Sequence, residues 1–175
     1  MRTIETTNGL LVAVDDEDFA RLSESNWHAA KHKNTSYAHG RVGKKKVFMH
    51  RLIAEASPGK WVDHRDGNGL NNQKYNLRVC SASENHANRR RITSKKSRYK
   101  GISHRGENRT LPWRARIKKN YKDQVVGFFA TEEEAARAYD RAARATYGKF
   151  ACVNFPLPGE RSALTGEIVP IAASR

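Results

Sequence analysis

The chain of 175 residues is poor in cysteine and in long apolar runs, and each shortage excludes a class of protein. Its two cysteines, Cys80 and Cys152, stand far apart and cannot supply a four-cysteine zinc site, so we expect buried, reduced thiols and no structural zinc. No run approaches the roughly 18 apolar residues of a membrane-spanning helix. Acidic residues interrupt the apolar stretch at the N-terminus, which is unlike a signal peptide. We therefore expect an intracellular protein with no membrane partner.

Positive charge is what the chain has in excess. It contains 33 Lys and Arg against 18 Asp and Glu, which gives a net charge of +15. Such a balance favours a polyanion partner, because Lys and Arg that contact phosphates release counterions. Residues 1–60 are nearly balanced, and the excess lies after them. Charge alone does not separate a DNA-cutting enzyme from a DNA-binding regulator without cleavage or from a structural RNA-binding protein.

The most informative stretch, residues 62–88, places Asp63 and His64 side by side and continues with Asn76 and Asn85. A neutral imidazole suits the role of general base near neutral pH. The oxygens of Asp63 and Asn85 suit Mg²⁺ or Mn²⁺, and the side-chain carbonyl of Asn76 can hold the other imidazole nitrogen. Since neighbours on a strand point to opposite faces, Asp63 and His64 can share a site only where the strand ends or bulges. The stretch predicts a site that hydrolyses phosphodiester bonds.

Local patterns predict small strands and helices around this stretch. Residues 10–14 are apolar and are expected to form a strand, after which Asp15 is expected to cap an acidic first helical turn. His50 opens a helical segment and is expected to be structural. Residues 61–66 and 76–79 are expected to form two strands joined by a loop rich in Gly and Asn.

A second domain is predicted over residues 98–156. Three strands are expected there, at 99–105, 113–118 and 125–130. The middle strand alternates apolar and basic residues, so its cations are expected on one face. Thr131 and Glu134 form a capping box at the start of a helix that packs on the other face. The preceding basic segment is too polar to build a core and is expected to order only on a polyanion.

Two parts of the chain resemble known families. The first resembles the HNH homing endonucleases of phages and introns over roughly residues 8–90. The likeness is carried by residues 14–18, 27, 49–53, 62–64, 66–68, 71–72, 76–78, 85 and 88. It implies a ββα-metal hairpin and helix around one divalent cation, Mg²⁺ or Mn²⁺. By this resemblance His64 is the general base, Asp63 and Asn85 bind the metal, and Asn76 orients His64. Whether Asn85 or His86 faces the ion is left open.

The second part resembles the plant ethylene-response-factor DNA-binding domain over most of residues 98–156. The likeness is carried by residues 99–102, 113–115, 127–129, 133–136, 138–143 and 153–156. It implies a three-stranded sheet laid in the major groove of DNA. The sheet residues expected to face DNA are Arg98, Lys100, Arg105, Arg114, Arg116 and Lys118. The residues of the preceding basic segment expected to contact phosphates are Arg89, Arg90, Arg91, Lys95 and Lys96.

Together these observations predict an α+β protein with four parts. Residues 1–90 form the ββα-metal (HNH) nuclease domain with its leader, 91–97 a basic linker, 98–156 a three-stranded antiparallel sheet packed on one helix, and 157–175 a loose tail. The predicted function is a metal-dependent DNA endonuclease of homing type, encoded by a phage or mobile element and acting on double-stranded DNA in the host cytoplasm. A homodimer is expected if both strands are cut.

Overall fold

The computed structural model describes residues 1–32, 35–90 and 97–172. The chain divides into two compact units, Met1–Ala82 and Ser83–Arg175. The predicted linker residues Arg91, Lys95 and Lys96 lie outside the described residues. Within the described part of the chain, no helix is long and apolar enough to cross a membrane. The expected mixture of small sheets and short helices is confirmed.

The first unit begins with a leader of strands and one helix. Its elements are the hairpin of β1 (Arg2–Glu5) and β2 (Leu11–Val14), the helix α1 (Asp16–Ser23), and the antiparallel sheet of β3 (Trp27–His32), β4 (Thr35–Val42) and β5 (Lys45–Phe48). Alternate residues of these strands are apolar and face one core, because successive side chains of a strand point to opposite faces. The core is built from Val12, Val14, Leu22, Trp27 and Met49.

The rest of the first unit is a hairpin preceded by a short helix. The helix α2 (Met49–Ile53) follows β5 directly, and β6 (Trp61–His64) pairs antiparallel with β7 (Leu77–Cys80). A short 3-10 turn (Lys74–Asn76) closes the loop between the two strands. β6 ends at His64, which meets the condition for Asp63 and His64 to serve one site.

The second unit holds a three-stranded sheet covered by one helix. Its sheet consists of β8 (Ile102–His104), β9 (Trp113–Lys119) and β10 (Lys122–Phe129), and α4 (Glu132–Tyr147) packs on it. Both hydrogen bonds of the predicted capping box are present at the start of α4. Gly101 is required for this packing, because a Cβ there would lie 2.2 Å from the ring of Tyr139.

The described C-terminal segment corrects the expectation of a loose tail from residue 157. β11 (Cys152–Val153) pairs in parallel with β12 (Arg161–Ser162). Glu160 accepts two hydrogen bonds of 2.7 Å from Arg144 of α4. Ala163 is only 1% exposed. The segment up to residue 172 is therefore part of the second unit, because its charged side chains have specific partners there.

The boundary between the units also differs from the predicted end of the first domain at residue 90. The helix α3 (Ala82–Ala87) lies almost entirely within the second unit. Two cations hold its C-terminal end. The ammonium of Lys100 donates to the carbonyl of Ala87 at 2.6 Å, and Arg161 donates to the carbonyl of Asn88 at 2.8 Å. Carbonyls at a helix end lack partners within the helix, so cations are favourable there.

Candidate functional site

His64 is the last residue of β6 and is only 4% exposed. Its Nε2 lies 2.8 Å from Oδ1 of Asn72, which is fully buried. A carboxamide oxygen only accepts, so Nε2 carries the proton and donates it to Asn72. In this tautomer Nδ1 has the lone pair, which is the form a general base requires.

The surroundings of His64 favour its neutral form. The rings of Tyr37 and His50 lie 5.6 and 5.1 Å from its ring, centroid to centroid. Burial lowers the pKa of His64, and the hydrogen bond to Asn72 and the carboxylates of Asp66 and Asp63 offset only part of this effect. Burial, with the charges of His64 and Arg51, lowers the pKa of His50 to about 3. His50 is therefore a neutral packing partner near neutral pH.

The carboxamide of Asn76 organises the loop after β6. Its Oδ1 accepts from the backbone N–H of Asp66 at 3.0 Å. Its Nδ2 donates to Oδ1 of Asp66 at 3.0 Å and to the carbonyl of Asn71 at 2.8 Å. The carboxamide that the structure places on His64 belongs to Asn72, so the orienting role assigned to Asn76 stays a prediction. The sequence signal for Asn72 was the Asn71–Asn72 doublet, which a turn explains equally well.

The leader holds this loop from the other side. The carboxylate of Asp15 accepts from the backbone N–H of Lys74 at 2.7 Å and from Nε2 of Gln73 at 3.0 Å. Burial alone would raise the pKa of Asp15, but these bonds outweigh it and the pKa is lowered. The backbone N–H of Asn72 donates to the carbonyl of Ala13 at 2.8 Å. The expectation that the Asp15 side chain caps α1 is wrong, because no cap bond forms and the carboxylate binds the loop instead.

Asp63, the predicted metal ligand, is 4% exposed and forms an ion pair with Arg78. Nε of Arg78 donates to its Oδ2 at 3.0 Å, and Nη2 contacts the same oxygen. The other predicted ligands, Asn85 and His86, lie on α3 in the second unit, where the ring of His86 packs against Tyr121 at 6.1 Å. The joint action of Asp63 with Asn85 stays a prediction.

The donor set fits a hard divalent cation by its chemistry. A carboxylate and a carboxamide oxygen are ligands that Mg²⁺ and Mn²⁺ prefer, and His86 would add a nitrogen donor. A cation at Asp63 has to share the carboxylate with Arg78 or displace its guanidinium.

The sheet of the second unit carries cations on the face opposite α4. Nε of Arg114 donates to Ser103 at 3.3 Å, and Arg116 pairs with Asp123 at 3.1 Å. The guanidinium of Arg105 lies 4.1 Å from the centre of the Phe128 ring. Lys118 continues the row and is exposed. Basic side chains in such a row suit contact with phosphates.

The remaining predicted DNA contacts differ in position. Arg89 and Arg90 are exposed just after α3. The side chain of Arg98 is 69% exposed and lies near Glu132 at 3.6 Å, at the start of α4. These three cations are at the surface but outside the strands of the sheet.

The contacts of Lys100 contradict the prediction that it faces DNA. Its ammonium donates to the carbonyls of Ala87 and Arg89 at 2.6 Å each and of Cys152 at 3.2 Å. An ammonium has three N–H groups, so these acceptors satisfy it and leave no donor for a phosphate. Burial, with the neighbouring charge of Arg161, lowers the pKa of Lys100 to about 8.

Known proteins match two different parts of the chain. Residues 47–87 match the family model described as HNH endonuclease. The chain is 35% identical over 109 residues to an uncharacterised HNH endonuclease of the Acanthamoeba polyphaga mimivirus, a match that covers 61% of this chain and 54% of the relative. It is 44% identical over 70 residues to ethylene-responsive transcription factor 3 of Nicotiana tabacum, covering 37% of this chain and 28% of that protein. No solved structure matches.

The matched segment includes the predicted site residues. His64 with its partner Asn72, the ion pair of Asp63 and Arg78, and the predicted ligand Asn85 all lie within residues 47–87. This confirms the expected HNH endonuclease domain for that segment. The chain spans about half the length of the viral relative and less than a third of the transcription factor.

Proposed function

We propose that the protein is a metal-dependent DNA endonuclease of the homing type, with His64 as its general base. The observation that supports this most directly is the bond from His64 Nε2 to Asn72, within an HNH endonuclease segment. It leaves the basic lone pair on Nδ1, and burial keeps the ring neutral near pH 7. A base in this state can take a proton from water without first losing one.

The reaction is hydrolysis of a phosphodiester bond. Nδ1 of His64 accepts a proton from water, the water oxygen bonds to phosphorus, and the bond from phosphorus to the leaving oxygen breaks. A Mg²⁺ or Mn²⁺ ion, held by Asp63 and by Asn85 or His86, would stabilise charge on the phosphate and the leaving oxygen. Arg78 orients the Asp63 carboxylate, and Asn72 orients the His64 ring. Asn76 acts on the same site by fixing the loop that carries Asn72.

The second unit anchors the enzyme on double-stranded DNA in this proposal. The similarity to an ethylene-responsive transcription factor and the basic row on β9 support this role. The proposed contacts are Arg89, Arg90, Arg98, Arg105, Arg114, Arg116 and Lys118. Arg91, Lys95 and Lys96 are proposed to add phosphate contacts between the two functions. A homodimer follows if both strands are cut, and a phage or mobile element is the proposed genetic context.

A plasmid assay tests the catalytic role. His64→Gln keeps a donor toward Asn72 but has no basic nitrogen, so cleavage with Mg²⁺ or Mn²⁺ is expected to fall roughly 10²–10⁴-fold while DNA affinity stays intact. Glu24→Gln, a change at an exposed residue outside the matched segment, is the control and should cleave normally. Intact supercoiled plasmid with the wild-type protein in every divalent metal would instead favour a DNA-binding regulator. Equal loss of binding and cleavage in His64→Gln would contradict the role given to His64.

A further inference from the structure

The leader sheet of the first unit has a second face that the core does not cover. Because Trp27 pairs with Gly40 and Ala29 with Ala38, these residues share the core-facing side. The partners between them in register point the other way. We call this side the outer face, and it includes His28, Tyr37, His39, Arg41, Lys46 and Phe48.

The outer face continues to His64 without a break in ring contacts. His28 lies 5.5 Å from His39, and His39 lies 6.1 Å from Phe48. Phe48 stacks on His50 at 5.4 Å, and both His50 and Tyr37 contact the ring of His64. The face therefore begins at the candidate base.

The loop that holds His64 is seated on the near end of this face. A Cβ at Gly69 would lie 2.6 Å from the ring of Tyr37 and 2.3 Å from the carbonyl of Ser36, so only glycine allows this approach. The backbone N–H of Gly69 also donates to Thr35 at 2.8 Å. The loop after His64 is thus packed directly on the sheet within the first unit.

The far end of the outer face is basic. Arg41 pairs in register with Lys46, and both side chains are exposed. No Asp or Glu occurs between Trp27 and Phe48, although the first sixty residues are nearly balanced in charge. The acids of this region lie elsewhere, mainly in α1 and the segment around it. The first sixty residues therefore contain a basic surface next to His64, although their overall charge is nearly balanced.

We propose that the outer face binds the sugar–phosphate backbone of the duplex beside the cleaved bond, as a DNA contact separate from the sheet of the second unit. Arg41 and Lys46 pair with phosphates, and His39 and Phe48 pack against the sugars between them. This proposal rests on the proposed function for the position of the cleaved bond. Binding of duplex DNA by the face is measured independently of cleavage.

The sheet offers a matched control for the test. Lys31 of β3 and Lys45 of β5 are exposed and point to the side opposite the outer face. Replacing them removes the same positive charge from the same sheet, but from its other side. Both double variants, Arg41→Ala/Lys46→Ala and Lys31→Ala/Lys45→Ala, are made in the full chain with His64→Gln to prevent cleavage. Affinity for a DNA duplex is measured by fluorescence anisotropy across a salt series, with an RNA duplex of the same sequence in parallel.

The expected result is directional. Arg41→Ala/Lys46→Ala lowers the slope of log DNA affinity against log salt concentration by about 2. A fourfold increase in salt then weakens DNA binding by roughly tenfold less than it does without the two substitutions. Lys31→Ala/Lys45→Ala leaves the slope unchanged, and the charge-preserving Arg41→Lys/Lys46→Arg retains it. Equal losses in both alanine pairs, no loss in either, or a preference for RNA would each overturn the proposal. If the variants show this directional pattern but the wild-type protein never cuts DNA, only the proposed function is overturned.

Discussion

The loop around His64 in the first unit and the basic sheet face of the second unit differ in how their polar side chains are held. In the first unit Asp63, His64, Asn72 and Asn76 are at most 4% exposed, and their partners lie inside the same loop and hairpin. In the second unit the sheet has a core of small and aromatic side chains, and its cations lie on the opposite face. A buried polar group that is hydrogen-bonded is held in one geometry, whereas exposed cations stay adaptable. The first arrangement suits chemistry, and the second suits binding.

The largest expected effect comes from breaking the buried ion pair of the first unit. Arg78→Met leaves the Asp63 carboxylate buried without its guanidinium, so the first unit should lose roughly 3–5 kcal/mol of stability. Native-state hydrogen exchange in residues 1–82 measures this loss apart from the second unit. Asp63→Asn/Arg78→Met, which removes both charges, is expected to recover most of it. A cost below about 1 kcal/mol for Arg78→Met would make this pair equivalent to a surface pair and remove the contrast between the units.

The sequence predicted best the features that depend on near neighbours. Thr131 and Glu134 are three residues apart and form the capping box that their spacing predicts. The alternation of β9 placed Ala115 and Ile117 in the core and Arg116 and Lys118 outside. Each of these outcomes follows from the local period of a helix or strand.

Features that depend on distant partners were not predictable in this way. Asp15 stands where a helix cap is expected, but its partner is the backbone of Lys74, 59 residues later. Lys100 has the same sequence context as exposed cations, but three carbonyls surround its ammonium. Asn72 and Asn76 are alike in the sequence, and only the folded loop shows that Asn72 is the residue hydrogen-bonded to His64. Residue type and spacing do not specify which of several equivalent partners the tertiary structure selects.

A smaller effect is expected from changing the hydrogen-bond partner of His64. The bond to Asn72 raises the pKa of His64 against the effect of burial. A base must be deprotonated to act, so the acid limb of the pH–rate profile reports this pKa. Asn72→Asp places a carboxylate at the ring and should move the limb to higher pH. Asn72→Ala should move it to lower pH and reduce the maximal rate by about tenfold, since the ring loses its orientation.

The cleavage rate of plasmid DNA between acidic and neutral pH measures both shifts. Asn8→Asp, in the leader hairpin away from the His64 hydrogen bond, is the matched change of carboxamide to carboxylate and should leave the limb in place. If both Asn72 variants lower the rate without moving the limb, Asn72 supports the fold but does not set the protonation of His64.

The smallest effect is expected at the exposed pair of the second unit. Asp123 and Arg116 are 49% and 48% exposed at 3.1 Å, so Asp123→Asn should change stability by less than about 1 kcal/mol. The same change removes a negative charge from the proposed DNA face and frees Arg116. DNA affinity should therefore rise by roughly threefold at low salt, and the gain should fade as salt screens the charges.

Glu133→Gln is the matched control, because Glu133 forms a similar exposed pair with Arg137 at 2.9 Å on α4, across the sheet from the basic row. Its DNA affinity should equal that of the wild type. Equal gains in the two variants would mean that net charge alone governs binding, and that the basic face of β9 has no special position toward DNA. A large loss of stability in Asp123→Asn would show that this surface, like the loop around His64, depends on paired polar groups.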